Sequence, residues 1–148
     1  MANRSSLDED SPIYKEATGI AEYMYSNVLS QFDEFSQERW NTEKKIRDAS
    51  NNIVFYVAQS VGSSTLAGTE YEWNLARKNL FALRAMYVFS DKQKFLKLAP
   101  EIVVRMDNLL VKIDGEIEAS KKEIDRLNKE ELKPWLEKYK LWHEMNKK

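Results

Sequence analysis

The feature that most limits the fold of this chain is the spacing of its apolar residues, which recur every three or four positions along four long segments. This spacing gathers apolar side chains on one face of an α-helix, whereas a half-buried β-strand requires strict alternation. Only four glycines and three prolines interrupt the 148 residues, and most charged residues are good helix formers. The pattern predicts an all-α fold: an antiparallel up-down four-helix bundle with a charged C-terminal helical extension.

Capping and breaking residues set the expected limits of the first three helices. Ser11 and Pro12 suit the start of the first helix, because serine caps a helix and proline fits its first turn. Ser36 is expected to cap the second helix. The small and polar residues 62–65 separate this helix from a third, which we place at residues 67–89.

The fourth helix is expected to begin at Pro100 and to contain two irregular positions. Gly115 marks a weak point or a close approach to another helix. Pro134 is expected to kink or end the helix, because proline removes a backbone hydrogen bond, and a separate short helix should follow. We therefore divide the chain into a disordered tail at residues 1–10, a four-helix bundle at 11–118 and a C-terminal helical extension at 119–148.

Composition excludes several kinds of catalytic site. The chain has no cysteine and a single histidine, His143, so thiol nucleophiles and zinc–thiolate sites are excluded. Carboxylate-bridged di-metal bundles need Glu-x-x-His pairs, but Lys140 lies three positions before His143. No enzymatic activity, cofactor or metal is expected. A magnesium-dependent nuclease remains the least favoured alternative, and the sequence names no residue for it.

The hydropathy of the chain also indicates whether it has segments that enter a membrane. No stretch of about 18 apolar residues occurs, so no membrane-spanning segment and no membrane partner are expected. The first ten residues are polar and lack the apolar run of a signal peptide. A cytoplasmic location is the expectation that follows.

Basic residues cluster in the middle of the chain. Residues 1–40 carry three basic and eight acidic side chains, whereas residues 41–114 carry eleven basic and eight acidic ones. Antiparallel packing of the second and third helices would bring two clusters to one side, where they could bind nucleic-acid phosphates. The alternative is that they are solvated helix flanks balanced by nearby carboxylates. The candidate nucleic-acid-binding residues are Lys44, Lys45, Arg47, Arg77, Lys78 and Arg84.

Aromatic residues are more numerous than one four-helix core needs. Several lie beside the main apolar stripes, and exposed apolar surface of this kind usually marks an interface. Self-association is therefore expected. Near the C-terminus, aromatic residues recur at helical spacing with no predicted helix opposite them. The candidate partner-binding residues are Trp135, Tyr139 and Trp142.

The second helix resembles a family of bacterial helical bundles. Residues 45–60 are similar to a motif of the proteins encoded in 23S rRNA intervening sequences, whose relatives include the Avd-type accessory proteins of diversity-generating retroelements. The positions that match in place are Ile46, Arg47, Ala49, Ile53 and Ala58. Phe55 and Tyr56 stand where the family has a Ser-Asn pair. The resemblance covers roughly residues 12–118.

This resemblance implies a ring-shaped homo-oligomer, typically of five subunits, without enzymatic activity. Avd-type members bind a reverse transcriptase and its structured template RNA through a basic surface, and Arg47 is the basic residue that matches by position. The leading hypothesis is an oligomeric accessory protein that binds RNA, a reverse transcriptase, or both. The second hypothesis is a structural or protein-binding bundle with no nucleic-acid role.

Overall fold

The computed structural model describes residues 11–32, 37–63 and 66–147, which form four α-helices and contain no β-strand. The helices are α1 (Pro12–Tyr23), α2 (Gln37–Gly62), α3 (Leu66–Lys92) and α4 (Pro100–Met145). A π-helical segment at Met24–Val28 and a 3₁₀ turn at Leu29–Gln31 extend α1. The predicted all-α class is confirmed.

The start of α1 matches the residues that predicted it. The side chain of Ser11 accepts a hydrogen bond from the Tyr14 N–H at 3.2 Å, and Pro12 occupies the first turn. Serine thereby satisfies one of the N–H groups that a helix start leaves free. The tail predicted at residues 1–10 and the cap predicted at Ser36 lie outside the described residues.

The four helices pack around one shared core. Among the described residues, α1 contacts α2 and α4, and α3 contacts α2 and α4, whereas the diagonal pairs do not meet. The largest fully buried side chains come from all four helices, and they are Ile20, Met24, Ile46, Ile53, Leu80, Leu83, Tyr87, Met106, Leu109 and Ile113. The apolar stripes read from the sequence therefore face inward, as the three-to-four spacing requires.

Buried serines are compatible with this core because each satisfies its hydroxyl within its own helix. Ser50, Ser60 and Ser90 donate to the carbonyl oxygen four residues earlier, at 2.7, 2.7 and 2.6 Å. A buried hydroxyl without a partner would cost roughly 1–3 kcal/mol. These serines let the helices approach closely without that cost.

A buried tyrosine fixes the connection between α3 and α4. Tyr87 is fully buried on α3, and its hydroxyl accepts the Ala99 N–H at 2.8 Å. Ala99 is the N-cap of α4, and it has no capping hydrogen bond from its own side chain. The Asp91 carboxylate accepts the neighbouring Leu98 N–H at 3.0 Å. Two side chains of α3 thus hold the backbone that starts α4.

The α4 helix is longer than the sequence predicts. It runs without interruption for 46 residues with Pro134 inside it, so the separate short helix expected after Pro134 is wrong. Proline removes one hydrogen bond, but the helix formers on both sides continue the backbone pattern. Ser120 is the last buried residue of α4. We call residues 121–145 the α4 overhang; at 1.5 Å per residue its length is roughly 37 Å.

Gly115 does not mark a close helix approach, because a Cβ atom at that position would have no neighbouring atom within 4 Å. We therefore expect Gly115→Ala to raise the free energy of unfolding by about 0.5–1 kcal/mol, since alanine is the better helix former. Denaturant unfolding monitored by circular dichroism measures the change.

Gly19 provides the comparison for this prediction. A Cβ atom at Gly19 would lie 2.7 Å from the guanidinium of Arg105, which binds Glu16 at 2.9 Å. Gly19→Ala should therefore gain less than Gly115→Ala, because Arg105 must move. An equal or larger gain at Gly19 would contradict the assigned packing.

Candidate interaction surfaces

Two of the six candidate basic residues are engaged at the contact between α3 and α4. Arg77 donates to Asp114 at 2.6 Å, and Arg84 donates to both oxygens of Asp107 at 2.7 and 3.3 Å. Arg84 lies seven residues after Arg77 on α3, whereas its partner Asp107 lies seven residues before Asp114 on α4. These arginines therefore join two helices, and the charge of each guanidinium is already partly neutralised by a carboxylate.

A third candidate is paired within its own helix. Arg47 lies 2.5 Å from Glu43, one turn earlier on α2. The ammonium group of Lys44 lies over the ring of Trp40, 5.8 Å from its centroid. A cation–aromatic contact at an exposed site stabilises by about 0.5–1 kcal/mol, and it leaves the charge of Lys44 available to solvent.

The last two candidates are exposed lysines, one on α2 and one on α3. Lys45 is exposed and lines a shallow groove between α2 and α3, which Asn52 and Asn79 bridge with a 3.1 Å hydrogen bond. Lys78 is exposed on α3. Neither lysine makes an ion pair with any residue that the structure describes.

The six candidate residues therefore divide into three that are paired with carboxylates and three that are not. Arg77 and Arg84 bind carboxylates of α4, and Arg47 binds Glu43. Lys44, Lys45 and Lys78 retain charges that no carboxylate of the described residues neutralises. Among the six candidate residues, these three lysines are the ones with charge left for a phosphate.

Exposed aromatic residues occupy α2 and α3, as the excess of aromatics predicted. Trp73 and Tyr87, in contrast, are buried. Phe81 is partly covered by the Arg77 guanidinium, 4.7 Å from the ring centroid. Tyr25 donates to the Asn51 side chain at 2.7 Å, which fixes its ring between α1 and α2. The exposed aromatic residues of α2 and α3 are Trp40, Phe55, Tyr71, Phe81 and Phe89.

The larger uncovered surface is on the α4 overhang. Trp135, Tyr139 and Trp142, which we call the aromatic strip, are 71%, 62% and 61% exposed. Beyond Ile124, every described residue is exposed. Further exposed apolar side chains flank the strip, and they are Leu132, Leu136, Leu141 and Met145. An apolar surface of this extent on one helix is typical of an interface.

Local contacts hold the strip in a defined arrangement. Tyr139 stacks against Trp142 with ring centroids 6.5 Å apart, and against His143 at 6.0 Å. Lys138 lies over the Trp135 ring at 5.7 Å. Side chains three and four residues apart meet on a helix surface, so these contacts follow from the spacing. The rings lose less freedom on binding than isolated side chains would.

Ion pairs support the helix that presents the strip. Arg126 donates to Glu123 and to Glu130, one turn away on either side. The hydrogen bond from Arg126 holds the pKa of the Glu123 carboxyl below its usual range. Pairs of opposite charge one turn apart favour the helical conformation of an exposed segment. The overhang is therefore a helix stabilised mainly by its own side chains.

Two residues outside the predicted set connect α1 to α4. Glu16 and Arg105 form an ion pair at 2.9 Å across Gly19. No sequence motif marks this pair, because its members are far apart in the chain. It contributes to packing and offers no uncovered charge for a ligand.

The described residues contain no group of three or more side chains suited to hold a metal ion. No described helix combines the length and apolar character needed to cross a bilayer. Comparison with protein-family models, curated proteins and solved structures finds no match to this chain. Its similarity to the intervening-sequence and Avd-type proteins therefore stays a prediction.

Proposed function

We propose that the chain is a non-enzymatic, homo-oligomeric helical-bundle protein that acts by helix-mediated association, with the α4 overhang as its interaction element. The observation that carries the proposal is the uncovered aromatic strip of Trp135, Tyr139 and Trp142. The bundle is the antiparallel up-down type in this proposal, and the reversed order of the Arg77–Asp114 and Arg84–Asp107 pairs supports that arrangement.

Two observations favour protein association over phosphate binding. Three of the six candidate basic residues already hold carboxylates, so a phosphate would gain little net attraction from them. Tryptophan and tyrosine, in contrast, dominate the binding energy of protein interfaces because they bury a large area at low cost in side-chain entropy. The strip supplies three such residues on the α4 overhang, which no other described segment covers.

The first test replaces the two tryptophans of the strip. The double variant Trp135→Ala, Trp142→Ala should weaken self-association or partner capture by at least about tenfold, because truncating one interface tryptophan typically costs more than 1 kcal/mol. Helicity should not change, since both side chains are exposed. Quantitative pull-down at low and high salt measures the loss, and apolar association should persist at high salt.

The matched control is Lys133→Ala with Lys140→Ala, which alters two exposed residues of the same helix. Association should survive in this variant. The proposal is wrong if the tryptophan variant associates with all partners as strongly as the parent chain.

A second candidate function is the RNA- or reverse-transcriptase-binding adaptor that the family resemblance implies. It rests on Lys44, Lys45 and Lys78, whose charges are unpaired among the described residues. Trp40 lies beside Lys44 and offers a ring on which a base could stack. This combination of lysine and exposed aromatic surface is the observation that favours RNA.

Charge reversal at these lysines tests the second candidate. Lys44→Glu, Lys45→Glu and Lys78→Glu together should lower retention of structured RNA by about tenfold or more at moderate salt, since each lost phosphate contact removes counterion release. Filter binding across salt concentrations measures it. The equally charged control reverses Lys122, Lys129 and Lys140 on α4. Equal losses in both variants, or no loss in either, would reject a specific RNA surface on α2 and α3.

A further inference from the structure

The apolar stripe of α4 continues past the bundle, and two charged residues interrupt it. Within the bundle the buried stripe comprises Ile113, Ile117 and Ser120, and in the overhang it continues at the same three-to-four spacing through Ile124, Leu127, Glu131, Trp135, Lys138, Trp142 and Met145. Glu131 and Lys138 thus lie on the face that would be buried by any helix packed along the stripe. Their chemistry limits what that helix can be.

Glu131 and Lys138 cannot neutralise each other within one chain. They are seven residues apart, which is roughly 10 Å along a helix, and neither forms an ion pair with another described residue. Lys138 instead lies over Trp135. A partner helix must therefore place a cation opposite Glu131 and an anion opposite Lys138, since unpaired charges in an interface are costly.

A second copy of the same helix meets both requirements when it runs antiparallel. If a two-fold axis passes between Pro134 and Trp135, Glu131 lies level with Lys138 of the second copy. The same symmetry repeats this pair on the other side of the axis. Leu127 then lies level with Trp142 of the second copy, and the two Trp135 rings meet near the axis.

The parallel arrangement fails on the same residues. It would set Glu131 against Glu131 and Lys138 against Lys138, and like charges across an interface are strongly unfavourable. Opposite charges at a few positions of a helical interface commonly fix its register and direction. The order of the two charges on the stripe therefore favours one orientation.

The surface is large enough for a stable pair. At the exposures given above, the three aromatic rings present roughly 400 Å² in total. Leu127 and Met145 on the stripe, with Leu132 beside it, bring the apolar surface towards the roughly 800 Å² per partner that stable interfaces bury. The pair would extend from Leu127 to Trp142, beyond Ser120, the last buried residue of α4, so the two bundles would lie at opposite ends.

We infer that the α4 overhang binds the α4 overhang of a second copy in an antiparallel two-fold pair, with Glu131 of each copy opposite Lys138 of the other. This inference rests on the proposed function, because it names the occupant of the interaction element. It gives a dimer through α4, an assembly distinct from a ring formed through the bundle faces.

Charge reversal and its repair test the inference on the full chain. Analytical ultracentrifugation should show a dimer for the parent chain. Glu131→Lys alone and Lys138→Glu alone should each raise the dimer Kd by at least about tenfold, because each places like charges opposite each other twice. The double variant Glu131→Lys, Lys138→Glu should return the Kd to within about threefold of the parent, since it restores both pairs.

Matched controls make the same charge changes off the stripe. Glu144→Lys and Lys140→Glu lie on the opposite side of the helix and should leave the Kd unchanged. Circular dichroism verifies that every variant keeps its helix content. Unchanged Kd values in both single variants, or no recovery in the double variant, would overturn the inference.

Cysteine crosslinking reports the direction of the pair, and the parent chain contains no cysteine to interfere. A mixture of Glu131→Cys chains with Lys138→Cys chains should form a disulfide between the two variants, whereas each variant alone should not crosslink efficiently. Crosslinking of each variant with itself would indicate the parallel arrangement and reject the inference.

The failure of the inference and the failure of the proposed function give different results. A chain that stays monomeric at all concentrations, yet captures another protein through Trp135 and Trp142, rejects self-pairing and keeps the interaction role of the overhang. A chain that neither self-associates nor loses any partner on substitution of the two tryptophans rejects both.

Discussion

Replacing Leu80 by alanine is expected to lower the free energy of unfolding by about 3 kcal/mol, within the roughly 2–5 kcal/mol typical of core leucine truncation. Leu80 is fully buried on α3 and belongs to the core that all four helices share. Truncation removes its contacts and leaves a cavity that the surrounding helices fill only in part. For a domain of this length the midpoint of thermal unfolding should fall by roughly 6–12 °C.

Leu136→Ala is the matched control, because it makes the same truncation on the exposed overhang. Its effect should stay within about 0.5 kcal/mol, as for most surface substitutions. Both variants must be compared at one protein concentration, since self-association adds to apparent stability. A loss at Leu136 as large as that at Leu80 would mean that the overhang is buried in the folded protein.

The helical architecture was predictable because it depends on local spacing. Buried residues such as Ile53, Leu83 and Ile113 belong to apolar stripes that are visible as three-to-four repeats in the sequence. The break between α2 and α3 follows from weak helix formers after Gly62. The exposure of Trp135 and Trp142 was predictable only as one of two alternatives, because the spacing of their helix does not say whether that helix folds back on the bundle.

The pairing of Arg77 and Arg84 with α4 was not predicted, because it depends on tertiary contacts. The sequence indicates both arginines as candidate phosphate-binding groups, whereas each binds a carboxylate of α4. A signal for this arrangement existed. The two arginines are seven residues apart on α3, and Asp107 and Asp114 are seven residues apart on α4. Matched spacing of opposite charges on neighbouring antiparallel helices would have indicated two ion pairs.

Pro134 illustrates a different limit of local rules. The sequence predicts a kink or an end there, and the end is wrong, because α4 continues through Pro134 to Met145. Proline costs a helix about 3 kcal/mol. The cooperative hydrogen bonds on both sides of Pro134, in a helix of 46 residues, offset that cost. The π-helical segment at Met24–Val28 was not predicted either, because no residue type specifies such a segment.

The second large effect expected is alkaline destabilisation through Tyr87. Burial raises the pKa of Tyr87 to about 12 from 10.0, against the opposing effect of the hydrogen bond from the Ala99 N–H. Between these two values the unfolded chain loses the phenolic proton while the folded chain keeps it. The unfolded state is then favoured, so stability is complete below pH 10 and falls as the pH rises towards 12. The loss should reach up to about 3 kcal/mol.

Tyr87→Phe separates this effect from the titration of other groups. At neutral pH the variant should be less stable by about 1–2 kcal/mol, because the half-buried Ala99 N–H loses its acceptor. Above pH 10 the parent should lose stability faster than the variant, so the difference between them shrinks and then reverses.

Tyr71→Phe, at an exposed tyrosine, controls for the loss of one hydroxyl. Denaturant unfolding from pH 8 to pH 11.5 measures the three curves. A difference between parent and Tyr87→Phe that does not change with pH would show that Tyr87 ionises equally in both states and would contradict its burial behind the α3–α4 connection.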